Sequence, residues 1–135
     1  MRERKTKTGY SNASQLLGMN ITFADREAGV VEASFDAKHE FHNSIGNIQG
    51  GILVAMLDDL MGYALGITLP ETQFAPTANM NVSFLRPVAS GVIKGKGIIL
   101  KNSGDVFHLS AKLYNETGDV IAAATSRSKL GNKVN

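Results

Sequence analysis

Apolar and polar residues alternate with a period of two along most of the chain, which indicates β-strands. Two such segments precede residue 40, and turn residues 25–29 join them, so they form a predicted hairpin. Four more segments follow residue 70, and the turns at 101–105 and 115–119 are rich in Asn, Gly and Asp. Because short turns join successive strands, the sheet is expected to be antiparallel. The six predicted strands are residues 20–24, 30–36, 74–85, 91–100, 106–114 and 120–130.

One stretch without this alternation, residues 49–66, is apolar on nearly every side and rich in the helix formers Ala, Leu and Met. It predicts one long helix of roughly 25 Å, at about 1.5 Å per residue. Such a helix must be covered on most sides, and only the strands can cover it. A short helix is also predicted at residues 13–17, capped by Ser11 or Asn12 and ended by Gly18. The predicted fold class is α+β, with an antiparallel sheet of five to six strands curled around one central helix.

The composition fits a single globular domain spanning residues 1–135. Of the 135 residues, 43% are hydrophobic and none is cysteine. A chain of this length buries about two-thirds of its unfolded surface, so it can fold without cross-links. The lack of cysteine excludes disulfides, a cysteine nucleophile and thiolate-bound metals. Residues 1–10 are expected to be frayed.

Charge is nearly balanced overall but uneven along the chain. The net charge is +2, with −6 over residues 8–85 and +5 over residues 86–135. A basic second half can attract an anion as small as a nucleotide-bearing cofactor. Nucleic-acid binding is not expected, because the chain lacks a dense Lys/Arg stripe with interleaved aromatic residues.

Nothing in the sequence indicates export or membrane insertion. The N-terminus is charged and no apolar run follows it, so no signal or transit peptide is expected and a cytoplasmic location is predicted. Residues 50–69 approach the length of a membrane span, but Asp58 and Asp59 lie in their middle. A carboxylate at mid-bilayer is costly, so this helix is expected to be buried in protein rather than in lipid.

The two adjacent carboxylates, Asp58 and Asp59, are the most unusual feature of the long helix. Burying an unpaired carboxylate is costly, so a core that tolerates one has hydrogen-bond donors ready or a functional reason for it. Neighbouring helical residues point about 100° apart, so at most one of the pair enters any single cleft. The sequence is equally consistent with a functional carboxylate and with a structural one bonded to backbone amides or to a partner chain.

Two further features are candidates for chemistry. The glycines at 50 and 51 open the long helix, where unpaired N–H groups and the positive end of the dipole suit a developing oxyanion. A tight junction between loop and helix explains these glycines equally well. From residue 77 onward, one face of the predicted strand 74–85 is expected to be polar. Such a face can be solvated, line a cleft or form a subunit seam. The residues of this face are Thr77, Asn79, Asn81 and Ser83.

Three motifs occur at a distinctive spacing. They are Asn43-x-x-Gly46-x-x-Gln49-Gly50-Gly51, then Asp58 eight residues after Gly50, then Thr77-x-x-x-x-x-x-Phe84-Leu85-x-Pro87. Together they resemble the hotdog-fold acyl-CoA thioesterases of the phenylacetate-pathway, or PaaI-like, type, over roughly residues 10 to 130. The resemblance implies the hotdog fold and a homodimer, usually paired again into a homotetramer. It also implies hydrolysis of acyl-CoA thioesters at the subunit boundary, with coenzyme A as part of the substrate and no separate cofactor.

The resemblance assigns roles to five candidate catalytic residues. The Gly50 N–H and the Asn43 amide would stabilise the oxyanion, while Asp58 of the facing subunit would activate water or attack the carbonyl directly. Thr77 would place the water or the carboxylate. Gln49 stands where the family usually has His; it can hydrogen bond but cannot titrate near neutrality, so it is expected to orient neighbouring groups.

Substrate contacts are expected from the helix, the following strand and the basic half of the chain. Gly51 is a candidate substrate contact, and the acyl group would lie along Met56, Met61 and Phe84, for which core packing is the alternative role. The candidates for the phosphates of coenzyme A are Arg86, Lys101 and the segment Arg127–Lys129. The alternatives are a non-catalytic acyl-CoA-binding or regulatory hotdog protein and an oligomerisation scaffold. The acidic residue at the family spacing favours the enzyme, because a pure binder needs no buried carboxylate beside an anionic ligand.

Overall fold

The fold is a six-stranded antiparallel sheet with one long helix on its inner side, as the sequence predicts. The computed structural model describes residues 9–132; residues 1–8, most of the segment expected to be frayed, lie outside the described residues. The helices are α1 (Asn12–Leu16) and α2 (Gly50–Thr68). The strands are β1 (Asn20–Asp25), β2 (Val30–Ala37), β3 (Gln73–Phe74), β4 (Thr77–Phe84), β5 (Gly91–Ser103), β6 (Val106–Tyr114), β7 (Val120–Lys129) and β8 (Gly131–Asn132).

The strand order in the main sheet is β1-β2-β5-β6-β7-β4, and every neighbouring pair is antiparallel. The predicted strand 74–85 is divided in two at Pro76, which has no N–H to donate to a ladder. Its first part, β3, leaves the main sheet and pairs with β8. The predicted turn at 101–105 is shorter than expected, since β5 continues to Ser103 and the chain reverses at Gly104, where φ is +65°.

The short helix α1 begins at its predicted cap. The Ser11 side chain accepts a hydrogen bond from the Ser14 N–H at 3.2 Å, and Gly18 ends the segment with φ +67°. The long helix α2 begins one residue later than predicted and ends two residues later, at Thr68, just before Leu69 and Pro70. Because residues before proline avoid the α-helical region, the helix ends here.

The core lies between α2 and the inner face of the sheet. Two glycines of β5, Gly95 and Gly97, allow the helix to pack closely against that strand, since a Cβ on Gly97 would lie 2.5 Å from the Leu60 carbonyl oxygen. Helix α2 also has the length and mean hydropathy of a membrane span. In this fold it is the core helix, because much of it packs against the sheet. The buried residues of α2 are Leu53, Met56, Leu57, Leu60, Met61, Tyr63, Ala64, Leu65 and Ile67.

Strand β4 forms one edge of the sheet, and a bulge changes the predicted polar face. Thr77 lies opposite the buried Ser128, whereas Asn79 lies opposite the exposed Arg127. Ala78 is the extra residue between them, and one extra residue reverses the side to which a strand residue points. Thr77 therefore faces α2, and the prediction that it shares a face with Asn79, Asn81 and Ser83 is wrong.

Candidate active site

Four of the predicted site residues line one cavity at the start of α2. Asn43, Gly50, Phe84 and Arg86 surround a volume of about 380 Å³. The loop before α2 and the segment after β4 form its walls, and the two are joined by a hydrogen bond from the Ile48 N–H to the Val88 carbonyl at 2.7 Å. The sequence spacing therefore does bring the loop asparagine to the helix start.

The loop around Asn43 is built as a tight turn. The Asn43 side-chain oxygen accepts hydrogen bonds from the N–H groups of Ile45 at 3.0 Å and Asn47 at 3.1 Å. Gly46 completes the turn with φ +86°, a value that favours glycine. Because the side-chain oxygen already accepts these two bonds, the amide NH₂ of Asn43 is the group left to donate into the cavity.

The first turn of α2 supplies backbone donors to the same cavity. The N–H groups of Ile52 and Leu53 bond to the Gln49 carbonyl, while those of Gly50 and Gly51 have no acceptor among the described residues. Such free N–H groups at the positive end of a helix dipole attract an oxyanion. The Phe84 ring covers Gly50, since a Cβ there would lie 3.4 Å from ring atoms, whereas a Cβ on Gly51 would meet open space.

Gln49 and His42 both lie close to the start of α2 but outside the lining of this cavity. Gln49 is the exposed cap residue of α2, makes no side-chain capping bond and does not line the cavity. His42 lies nearby, but its Nε2 accepts a hydrogen bond from the Ser90 N–H at 3.0 Å. Its imidazole thus helps to attach the loop to the segment after β4.

A second cavity, of about 330 Å³, holds the Asp58 carboxylate. The Thr77 hydroxyl donates a hydrogen bond to Asp58 Oδ1 at 2.9 Å, and Asp58 is exposed. The β4 bulge is what turns Thr77 toward the helix and makes this contact. The cavity is lined by Ser11, Asp58, Asp59, Gly62, Tyr63, Ala75, Pro76 and Thr77.

The two cavities are separated along α2. Asp58 follows Gly50 by eight residues, which corresponds to about 12 Å along the helix axis. One chain therefore does not place the Asp58 carboxylate beside the free N–H groups of the helix start.

The neighbouring Asp59 lines the same cavity as Asp58, so the expectation that at most one of the pair enters a single cleft is wrong. Its environment nevertheless differs from that of Asp58. Burial raises the pKa of Asp59 to about 6; a hydrogen bond from Ser14 opposes this shift, and the charge of Asp58 adds to it. Asp59 Oδ2 is buried and has no hydrogen-bond partner among the described residues. Sequence reasoning missed Ser14 near this site, because its position depends on how α1 docks onto α2, where the Tyr63 hydroxyl donates to Ser14 Oγ at 3.1 Å.

The remaining substrate candidates fall in three places. Met56 and Met61 are 0% and 2% exposed and belong to the core, so neither is retained as a substrate contact. Arg86 lines the first cavity, and one of its Nη groups donates to the Val120 carbonyl at 2.7 Å. Lys101 and Arg127 flank His108 on the outer face of the sheet, away from α2.

Comparison with known proteins finds relatives among acyl-coenzyme A thioesterases and phenylacetic acid degradation proteins. Human acyl-coenzyme A thioesterase 13 is 29% identical over 132 residues, which is 95% of this chain and 91% of that protein. A phenylacetic acid degradation-related protein of Ralstonia eutropha JMP134 has 32% identity and a TM-score of 0.85, covering 89% of this chain and 90% of its own.

The Escherichia coli PaaI protein, from the phenylacetic acid degradation operon, shares the fold at 17% identity, with a TM-score of 0.83 over 95% of this chain and 91% of its own. The predicted resemblance to PaaI-like hotdog proteins is thus confirmed at the level of family and fold. The model of the thioesterase superfamily matches residues 45–122, which include most of the first cavity, the whole of α2 and strands β4, β5 and β6. The chain belongs to the thioesterase superfamily.

Proposed function

We propose that this protein hydrolyses acyl-CoA thioesters to the free acid and coenzyme A, in sites that two subunits share. The observation that carries the proposal is the hydrogen bond from the Thr77 hydroxyl to the exposed Asp58 carboxylate. Asp58 belongs to α2, and the first N–H groups of that helix have no acceptor among the described residues. The superfamily match and the name of the human relative support the substrate class.

In this mechanism the first cavity binds the thioester carbonyl. Its oxygen accepts hydrogen bonds from the Gly50 N–H and from the Asn43 NH₂. As the carbonyl carbon becomes tetrahedral, negative charge collects on that oxygen, and each such donor is worth about 3–4 kcal/mol in enzymes where it has been measured. Phe84 lies over Gly50 and forms the wall against which the acyl or pantetheine carbon chain packs.

The Asp58 carboxylate then supplies the second half of the reaction. As a general base it takes a proton from water while the water oxygen bonds to the carbonyl carbon; collapse of the oxyanion breaks the C–S bond and releases the thiolate of coenzyme A. In the alternative route the carboxylate itself attacks the carbonyl carbon, the C–S bond breaks to release the thiolate of coenzyme A and leave an anhydride, and water hydrolyses that anhydride. In both routes the Thr77 hydroxyl holds the carboxylate in place.

A second copy of the chain is needed because of the 12 Å between Gly50 and Asp58. Strand β4 is an edge strand next to both groups, and pairing of two such edges around a two-fold axis is the natural way to complete the site. We propose a homodimer formed in this way, and a homotetramer made of two dimers. Arg86 at the first cavity, and Lys101 and Arg127 on the outer face, are the candidates for the phosphates of coenzyme A.

We propose that the protein needs no separate cofactor, nucleic acid or membrane for this reaction and that it acts in the cytoplasm. Gln49 in place of the family histidine is the observation that favours the alternative, a non-catalytic acyl-CoA-binding protein, since a glutamine cannot exchange protons near neutral pH.

Release of coenzyme A from a panel of acyl-CoA thioesters is the direct test. A thiol reagent reports it without background, because the protein has no cysteine. Asp58→Asn should lower kcat/KM by about a hundredfold or more, the scale of losing a positioned base or nucleophile. The exposed Asp105→Asn is the matched control and should match the parent. Saturable binding of several thioesters with hydrolysis of none would favour the non-catalytic protein.

Mixing two inactive variants tests the shared site. In a dimer with one Asp58→Asn subunit and one Asn43→Ala subunit, one of the two sites keeps both wild-type groups. Half of the dimers in an equal mixture are of this kind, so about a quarter of the parent activity should return. No recovery in mixed dimers would mean that each subunit uses its own residues.

A further inference from the structure

The loop that carries Asn43 has two legs that are bonded to each other. It covers residues 41–49, and the Asn43 N–H donates to the Asn47 carbonyl at 2.7 Å. An isolated antiparallel bridge pairs His42 with Ile48. His42 and Asn43 therefore lie on the first leg of the loop, and Ile48 lies on the second leg, just before the start of α2.

Two hydrogen bonds join this loop to the segment 86–90, whose residues 86–88 form the opposite wall of the first cavity. From the second leg, the Ile48 N–H donates to the Val88 carbonyl at 2.7 Å. On the first leg, His42 Nε2 accepts from the Ser90 N–H at 3.0 Å. In the described part of the chain, the bond to His42 is the only hydrogen bond between residues 41–43 and this segment. The imidazole is thus the group that holds the first leg against that wall.

The surroundings of His42 favour this accepting role. A neutral imidazole accepts at one ring nitrogen and carries its proton on the other, so a ring that accepts at Nε2 is protonated at Nδ1. The ring is half-buried and packs against the ring of the exposed His39, with 4.7 Å between the centroids. The His42 N–H also donates to the His39 carbonyl at 3.0 Å, which fixes the backbone from which the ring extends.

The position of His42 determines the position of Asn43, because the two residues are adjacent on the first leg. The Asn43 side-chain oxygen is held by two N–H groups of its own turn, so its NH₂ moves together with the loop. Asn43 and Gly50 line the same cavity. A first leg that loses its bond to Ser90 therefore changes the distance between the two donors of the proposed oxyanion site. Such donors stabilise a transition state only when they are placed in advance.

We propose that His42 is a positioning residue for Asn43: its Nε2 holds the first leg of the loop against the segment 86–90 and so keeps the Asn43 NH₂ where the oxyanion develops. His42 itself exchanges no proton with the substrate or with water in this role. The inference rests on the proposed function of Asn43 as an oxyanion donor. Because the oxyanion exists only near the transition state, loss of the bond should lower kcat and leave KM nearly unchanged.

The kinetic test compares three variants with the parent on one acyl-CoA. His42→Phe keeps a ring but removes the accepting nitrogen, and it should lower kcat by about three- to tenfold, which corresponds to one ordinary hydrogen bond. His42→Gln supplies an amide oxygen as a new acceptor and should keep kcat within about twofold of the parent. His39→Phe is the matched control and should behave as the parent. Equal kcat in His42→Phe and the parent, or an equal loss in His42→Gln and His42→Phe, would overturn the inference.

A double-mutant cycle shows whether His42 acts through Asn43. In the Asn43→Ala background there is no side-chain donor left to position, so adding His42→Phe should cause little further loss of kcat. The same fold loss in both backgrounds would mean that His42 acts on something other than Asn43 and would overturn the inference. Thermal melts identify variants that fail to fold, and His42→Ala replaces His42→Phe with the same expectation if the phenylalanine is not accommodated.

Nitrogen-15 NMR gives a readout that does not require turnover. A scalar coupling across the hydrogen bond between the Ser90 amide nitrogen and His42 Nε2 should be present in the parent and in His39→Phe. Absence of this coupling in the parent would overturn the inference. The coupling in a parent that hydrolyses no thioester would instead refute the proposed function, while the attachment of the loop by His42 would stand.

Discussion

Gly97 of β5 is the position where one added methyl group should most disturb the fold. Its Cβ would lie 2.5 Å from the Leu60 carbonyl oxygen, 2.7 Å from the carbonyl carbon and 3.0 Å from the Leu60 Cβ. Backbone atoms in the middle of a helix cannot rotate out of the way. In Gly97→Ala the helix must therefore move away from the sheet.

The size of the effect follows from these distances. Ordinary contact begins at 3.4 Å, so α2 must shift by about 0.9 Å near Leu60. Overpacking of this kind costs about 1–3 kcal/mol. The alanine lowers the conformational entropy of the unfolded chain, which offsets about 0.4–1 kcal/mol of that cost. We expect a net loss of about 1–2 kcal/mol in the free energy of unfolding, or roughly 3–10 °C in Tm for a domain of this size.

The same shift should reduce activity, because α2 carries both Gly50 and Asp58. A misplacement of about 1 Å in catalytic groups can cost up to a hundredfold in rate. We expect kcat/KM of Gly97→Ala to fall by about tenfold or more, measured at a temperature well below its Tm.

Gly95→Ala is the matched comparison. There the two tightest contacts of the new Cβ would be with the ends of side chains, Leu60 at 2.5 Å and Leu113 at 3.0 Å, and the nearest backbone atom would be the Lys112 carbonyl oxygen at 3.2 Å. These groups can rotate, so Gly95→Ala should be less destabilised and should keep more activity than Gly97→Ala. Equal Tm values for the parent and Gly97→Ala, or a larger loss in Gly95→Ala, would refute the account of how α2 packs on β5.

Three further predictions concern the site. Because the pKa of Asp59 is raised to about 6 in the folded chain, the unfolded chain ionises first. The contribution of Asp59 to the free energy of unfolding should therefore fall as the pH rises from about 3 to 7, by up to about 3 kcal/mol, and urea unfolding of Asp59→Asn should lack this fall. Thr77→Val should lower kcat more than it raises KM, since it removes the hydrogen bond to Asp58; equal kinetics in parent and variant would show that this bond is dispensable. Gln49→His should keep the parent activity, because the exposed Gln49 side chain makes no capping bond. The pH profile of the variant should gain an inflection near pH 6–7. Loss of activity in a well-folded variant would mean that Gln49 contacts substrate or water.

The elements of this fold could be predicted because their signals are local. Continuous apolar character marks α2, period-two alternation marks the strands, and Ser11 marks the start of α1. The motif from Asn43 to Gly50 also lies within one loop and the start of one helix, so its spacing is enough to predict that these residues meet.

Contacts that depend on the register between distant strands could not be predicted in this way. Thr77 reaches Asp58 only because Ala78 is inserted opposite β7, and a bulge is defined by the partner strand as much as by its own sequence. The order of the sheet, with β4 at the edge beside β7, is likewise a result of packing in three dimensions.

The sequence by itself determined the helix, the strands, the loop that carries Asn43 and the spacing of Asp58 from Gly50, because each depends on residues close together in the chain. Tertiary structure alone decided which side of α2 faces the sheet, since a helix that is apolar all round has no periodicity to show it. It thereby placed Met56 and Met61 in the core and separated an exposed Asp58 from a half-buried Asp59. That difference in burial comes from the docking of α1 and β4 onto α2, so the two aspartates differ chemically only once the chain has folded.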